Sequence, residues 1–277
     1  MQSLKLSLAT MALAMAGLSH AAPIVTVTSN ATTLANAIAG SGVTISNAQL
    51  ITNGANLGNA AGLFSGGLGT VGFDAGILLT TGTVDCAAQG NTSNSCGLDG
   101  GAPGGGAGND TVALSFDFTS DTGNVFFRYV FASEEYNEYV NAGVNDAFQL
   151  LLNGVNIALL PGSGDEVSID NVNCLNNSDY YRNNRANGPA GCASLGLDIQ
   201  YDGLTTILTA TGTGLTGLNN FEFKIFDRGD NIYDSAVFIQ AGSFSGSDPG
   251  TPVPLPGSLA LAGLGLLALG SARRRKA

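Results

Sequence analysis

The sequence contains no tryptophan and a single histidine, His20, among 277 residues. Lys and Arg together number 10, against 21 Asp and Glu. Each scarcity closes a class of function. Nucleic-acid-binding faces meet phosphates with Lys and Arg, and the only basic run lies at the extreme C-terminus. A Ser-His-Asp triad or a His-ligated zinc site needs histidine. His20 falls in a segment expected to be removed: Met1 to Ala21 reads as a secretory signal peptide, with Lys5, an apolar run from Leu6 to Leu18, and the small-residue cleavage site Ser19-His20-Ala21. With Lys5 and the four basic tail residues set aside, five Lys and Arg face 21 acids, a net charge of −16. Such a balance in an exported chain favours solubility, repulsion from anionic surfaces, or divalent cations.

Helical periodicity is also scarce. Leu34, Ala35 and Ile38 give one short helix over Thr33–Ala39, with Gly40 as its glycine cap. Elsewhere the period is two. Residues 23–29 read as an edge strand and Val43–Ile51 as an alternating one. Ile77 to Thr81, between Gly76 and Gly82, reads as a buried strand. Val112, Leu114, Phe116 and Phe118 share one face. Asn153-Gly154, between Phe148–Leu152 and Val155–Leu160, is a hairpin signal. Val167–Val172 and Thr205–Thr211 are further strands. Phe221, Phe223 and Ile225 share a face, and Ala236–Ala241 is expected to close a second hairpin with them around the acidic loop Asp227–Asp234. Many short strands, and 40 glycines to turn between them, predict an all-β fold: one β-sandwich or jelly-roll-like domain.

The densest stretch is Asn124 to Asp146. Val125, Phe127, Tyr129 and Phe131 fall on one face of a strand and Phe126, Val130 and Ala132 on the other. A strand apolar on both faces is buried on both. Acids follow at its exit: Glu134, Glu135, Glu138 and Asp146. Glu134, Glu135, Asp146, Asp227, Asp230 and Asp234 form a candidate Ca²⁺ ligand set, provided the two loops that carry them share one end of the sandwich. The competing reading is that they cap turns. Tyr136, Tyr139 and Tyr233 lie in or beside the same loops and are candidate binding residues for a glycan or protein partner. A carboxylate-based glycan hydrolase is the alternative function. It needs two carboxylates across a sugar bond, and Glu134 and Glu135, adjacent on a strand, point to opposite faces. No catalytic residue is assigned.

Four cysteines in an exported chain imply disulfides. Three pairings are possible. The two local ones, Cys86–Cys96 and Cys174–Cys192, are expected because each brackets one loop rich in Gly, Asn or Ser.

Several motifs in fixed order resemble the choice-of-anchor L family of secreted surface domains. They are FASEEY at 131–136 with Asn145-Asp146, NIALLPG at 156–162, VSIDNVN at 167–173, YDGLTTILTA at 201–210, and the run 227–244. The resemblance covers Val43 to Phe244 and implies no particular activity. At the C-terminus, Val253-Pro254-Leu255-Pro256 precedes an apolar run to Ala272 and then Arg273, Arg274, Arg275 and Lys276. This layout resembles a PEP-CTERM sorting signal, with Leu255 where a glutamate is usual. Counted from Leu255 to Ala272 the run is 18 residues and can just cross a membrane, which takes about 17–25, with the basic end cytoplasmic. The expected organisation is a signal peptide (1–21), a β-sandwich (23–246), a linker (247–254) and a sorting segment (255–277). The expected partners are export machinery, an exosortase-type protease, the membrane before processing, and an extracellular polysaccharide or surface protein. The expected location is the cell surface or extracellular matrix. The expected role is non-enzymatic, structural or adhesive.

Overall fold

The computed structural model describes residues 21–53, 58–92, 110–186, 188–229 and 233–250. The signal peptide up to His20, Cys96, Asp230, and the tail with Val253, Pro254, Pro256 and Arg273–Arg275 lie outside the described residues. Among the described residues no helix is long and apolar enough to cross a membrane.

The strands, in chain order, are β1 Ile24–Val27, β2 Val43–Asn53, β3 Ala61–Ser65, β4 Ala75–Thr80, β5 Thr111–Ser120, β6 Val125–Ser133, β7 Ala147–Leu152, β8 Val155–Asn156, β9 Val167–Ser168, β10 Tyr181–Asn183, β11 Gly203–Thr205, β12 Leu208–Gly212, β13 Asn219–Phe226 and β14 Ser235–Gln240. They form two antiparallel sheets packed as a sandwich. The eight-stranded sheet runs β1-β3-β4-β14-β6-β11-β10, with β12 also on β6. The six-stranded sheet runs β2-β5-β13-β7-β8, with β9 also on β7.

Two hydrophobic clusters explain the two-faced strands. Phe127, Tyr129 and Phe131 of β6 point between the sheets, against Phe116, Phe118, Phe221 and Phe223. Val130 and Ala132 point outward and meet a second cluster with Leu78, Phe238, Tyr201 and Leu204. Strand β14 divides the same way, with Val237 and Ile239 inside and Ala236 and Phe238 outside. Loop segments cover the outer face of the larger sheet, so its central strands have no wet side.

The helix α1 spans Ala31–Ile38 and is capped by Asn30, whose side chain accepts from Thr33 N. It differs from expectation at its end. The C-cap is Ala39 in extended geometry, and Gly40 serves a close approach instead: a Cβ there would lie 2.2 Å from Gly242 O. The Asn153-Gly154 turn is as expected, with φ 50° and 82°, the signature of a type I′ hairpin. The strand after it stops at Asn156, and the one after Glu166 stops at Ser168. Thr205–Thr211 is broken in two where Thr206 N turns to Tyr180 O, and both pieces pair with β6.

The largest difference is the second hairpin. β13 and β14 belong to different sheets, so the loop 227–234 crosses the sandwich. The loop 134–146 crosses in the opposite sense, from β6 to β7. The chain leaves the domain at the other end of β6, where Phe126 and Ser245 exchange two backbone hydrogen bonds of 2.9 and 3.0 Å and Gly246 N reaches Ser41 O at 2.8 Å.

Cys174 and Cys192 are joined, with their Cα atoms 5.9 Å apart. Cys86 is also in a disulfide; its expected partner, Cys96, lies outside the described residues.

Candidate functional site

Five strands meet one end of the sandwich with an acid beside each. Asp110 precedes β5, Glu134 and Glu135 follow β6, Asp146 precedes β7, Asp227 follows β13 and Asp234 precedes β14. Register brings them together. Thr111, Phe226 and Ala147 are neighbours across the smaller sheet, and Ser133 and Ser235 are partners in the larger. The condition set by the sequence is therefore met: the two acidic loops share one end. They are also bonded to each other. Glu134 N donates to Asp234 O (3.1 Å) and Asn145 N to Arg228 O (2.8 Å). Asp146 accepts from Arg228 N (3.2 Å) and from Ser235 Oγ (2.7 Å).

None of these six carboxyls is more than 3 % exposed. They divide into two neighbourhoods. Asp227 accepts a hydrogen bond from Thr81, and its pKa is pushed well above the carboxylate range by burial and then by the charges of Asp146, Asp234 and Asp110. Its Oδ1 is buried without a hydrogen-bond partner. Glu134 faces the other way, toward Gln200 and Asp202. Burial, then Asp202 and Asp234, push its pKa up to about 9, against a hydrogen bond from Gln200 and the charge of Arg185. Arg185 pairs with Glu138 at 2.6 Å and with Asp202. The Arg228 side chain turns away to Glu166 at 2.6 Å, so Asp146 receives its backbone N–H only. Gly82 makes room for the cluster, since a Cβ there would fall 2.1 Å from the Asp234 carboxylate. Among the described residues no group of three or more Asp, Glu, His or Cys side chains is arranged to hold a metal ion as it stands.

Residues 24–245, from β1 to the last bridge with β6, match the choice-of-anchor L domain. The chain belongs to the choice-of-anchor L domain family. Residues 252–276 match the PEP-CTERM protein-sorting motif, Leu255 notwithstanding. No curated protein and no solved structure matches. The choice-of-anchor L domain is thus carried by a protein that an exosortase processes and sorts to the cell surface.

The tyrosines of this choice-of-anchor L domain separate. Tyr136 differs from expectation: it is fully buried, 4.8 Å from the Tyr181 ring and 6.5 Å from Phe131, so it closes the core and offers no surface. Tyr139 and Tyr233 are half-buried with ring centroids 5.0 Å apart and hydroxyls 3.4 Å apart, one on each crossing loop. Asp110 is the acid that the sequence reading misses. Its signal is visible in hindsight: Asn109-Asp110 opens β5 as Asn145-Asp146 opens β7.

The buried acids set a pH dependence. In the unfolded chain Glu134 ionises near pH ~4.3, whereas in the fold it keeps its proton to about 9. Between those values the unfolded state binds fewer protons, so stability falls as pH rises. Asp202 and Asp227 are shifted in the same direction. In a metal chelator, the melting temperature is expected to fall from pH 5 to pH 8. Glu134→Gln should flatten that slope and raise melting at pH 8 while leaving pH 4 nearly unchanged. A slope identical to wild type would remove Glu134 from the account.

Proposed function

We propose that this domain is a non-enzymatic structural and adhesive module whose acidic end takes Ca²⁺ and whose Tyr139–Tyr233 pair meets an extracellular polysaccharide beside it. The observation that carries the cation is Asp227, at 1 % exposure, with a bare buried Oδ1 and the charges of Asp146, Asp234 and Asp110 bearing on it. Such a cluster either holds protons or shares a cation. Calcium takes 6–8 oxygens drawn from carboxylates, carbonyls and water, so the crossing loops need to supply only some of them as carboxylates. Asp230, on the same loop, is a further candidate. Glu134 and Glu135 are better read as structural acids of the core margin.

The burial of these acids supports the non-enzymatic reading. A glycosidase must place two carboxyls against a sugar, and Glu134, Glu135, Asp146, Asp227 and Asp234 are all closed off from solvent. Turnover of any member of a glycan panel, lost in Glu135→Gln, would establish the hydrolase instead.

Calorimetric titration of the purified protein with Ca²⁺ tests the cation. Extracellular sites bind with Kd of about 10⁻⁴–10⁻³ M. At about 10 mM calcium this predicts a melting rise of roughly 3–10 °C. Asp227→Asn should abolish both heat and shift. No binding at millimolar calcium would leave the acids as core and turn residues.

A further inference from the structure

The signal-peptide reading places a scissile bond between Ala21 and Ala22, and the fold holds a carboxylate ready for what that cut creates. Ala22 N donates to Asp198 Oδ2 at 3.0 Å. The next residue, Pro23, is buried, while Ala21 is exposed, so the chain enters the fold at Ala22. Val25 then packs on the outer cluster that contains Leu197 and Ile199, the two residues flanking Asp198. Both flanks are tied down. Leu197 N donates to Asn184 Oδ1 at 2.6 Å, and Asn184 Nδ2 donates to Ile199 O at 3.0 Å. The second oxygen of Asp198 lies against Gly90, where a Cβ would sit 2.8 Å away. The carboxylate is thus held on a fixed backbone, facing a single backbone nitrogen 176 residues away in sequence.

We propose that export processing at Ala21–Ala22 creates the mature N-terminus and that Asp198 is its receptor. A membrane signal peptidase adds water across the Ala21–Ala22 amide. The water oxygen goes to Ala21, which leaves as a carboxylate, and both of its protons end on Ala22 N, which becomes an α-ammonium. The neutral N–H···O bond of the precursor then becomes an ion pair with the same two atoms in place. Charge-assisted bonds are the stronger kind, so the cut tightens the seat of β1, an edge strand held by β3 alone in its sheet. Pro23 at the second position adds a backbone without an N–H behind the new terminus.

Two measurements on the exported protein test this. Intact mass and N-terminal peptide mass should place the first residue at Ala22. The α-amine should then be labelled at pH 7 with a limiting neutral acylating reagent, which reacts only with unprotonated amine. Lys224, outside the signal and tail, is the internal reference. A free terminus has a pKa of about 7.7–8.0, and an exposed partner raises it modestly. Wild type should therefore label about threefold more slowly than Asp198→Asn, with the difference gone in urea and above pH ~9.5. A variant with one alanine inserted after Ala21 should behave like Asp198→Asn. A terminus elsewhere, or equal rates in all three proteins, would overturn the proposal.

Discussion

Phe221→Ala is expected to cost about 3–5 kcal/mol of folding stability. Phe221 is fully buried on β13. Its ring has five aromatic neighbours: Phe223 at 4.7 Å, Phe244 at 5.0 Å, Phe127 at 5.2 Å, Phe116 at 5.8 Å and Phe118 at 6.2 Å. Those partners come from both sheets and from the segment after β14, so the hole cannot be filled by moving one strand. The loss is a large share of the roughly 5–15 kcal/mol that a domain commands. Leu218→Ala, at a site 66 % exposed, should stay within about 0.5 kcal/mol. Urea denaturation measures both. A cost below about 1.5 kcal/mol for Phe221→Ala would show that the aromatic cluster is not where the sheets are held.

Removing the Cys174–Cys192 bridge, with both residues changed to serine, is expected to cost about 3 kcal/mol through the freedom returned to the unfolded chain. The bridge closes a separation of 18 residues. Cys192 O accepts from Asn183 Nδ2 at 2.8 Å, and Asn183 lies on β10, which reaches β6 only through β11. The loop is thus fastened to one edge of the larger sheet. For a domain of this size the loss corresponds to a fall in melting of roughly 6–12 °C. Reduction of the wild-type protein, which also opens the Cys86 disulfide, should lower the melting point at least as far. An unchanged melting point in the double variant would mean that the folded contacts alone hold the loop.

What could be read from the chain follows a physical line. The double-faced character of β6 was legible because alternation is local and both sets of residues are apolar. The acids at its exit were legible as a cluster for the same reason. Whether β13 and β14 pair is not a local property. A strand-forming run on each side of Asp227–Asp234 satisfies a hairpin and a sheet-to-sheet crossing equally, and the burial of both faces of β14 decides for the crossing. In sequence alone Tyr136, a tyrosine just after a strand, looks like surface; the ring folds back against Tyr181 and Phe131. Gly40 has the position of a helix cap in the sequence, and only the approach of Gly242 reveals its reason. Asp110 is hard to see because the glycine-rich sequence before it, 100–108, carries no alternation that would announce a strand.

The exit of the chain beside Phe126 has a mechanical consequence. Seven residue steps along β6 separate Phe126 from Ser133, a span of roughly 23 Å. For a domain held through the chain that leaves beside Ser245, that end is the tether, and the acidic loops with the Tyr139–Tyr233 pair are the far tip. A pull between tip and tether runs along the strands and across the inter-strand hydrogen bonds. The rungs of the β6–β14 ladder are then loaded together in shear, and none can be peeled open before its neighbours.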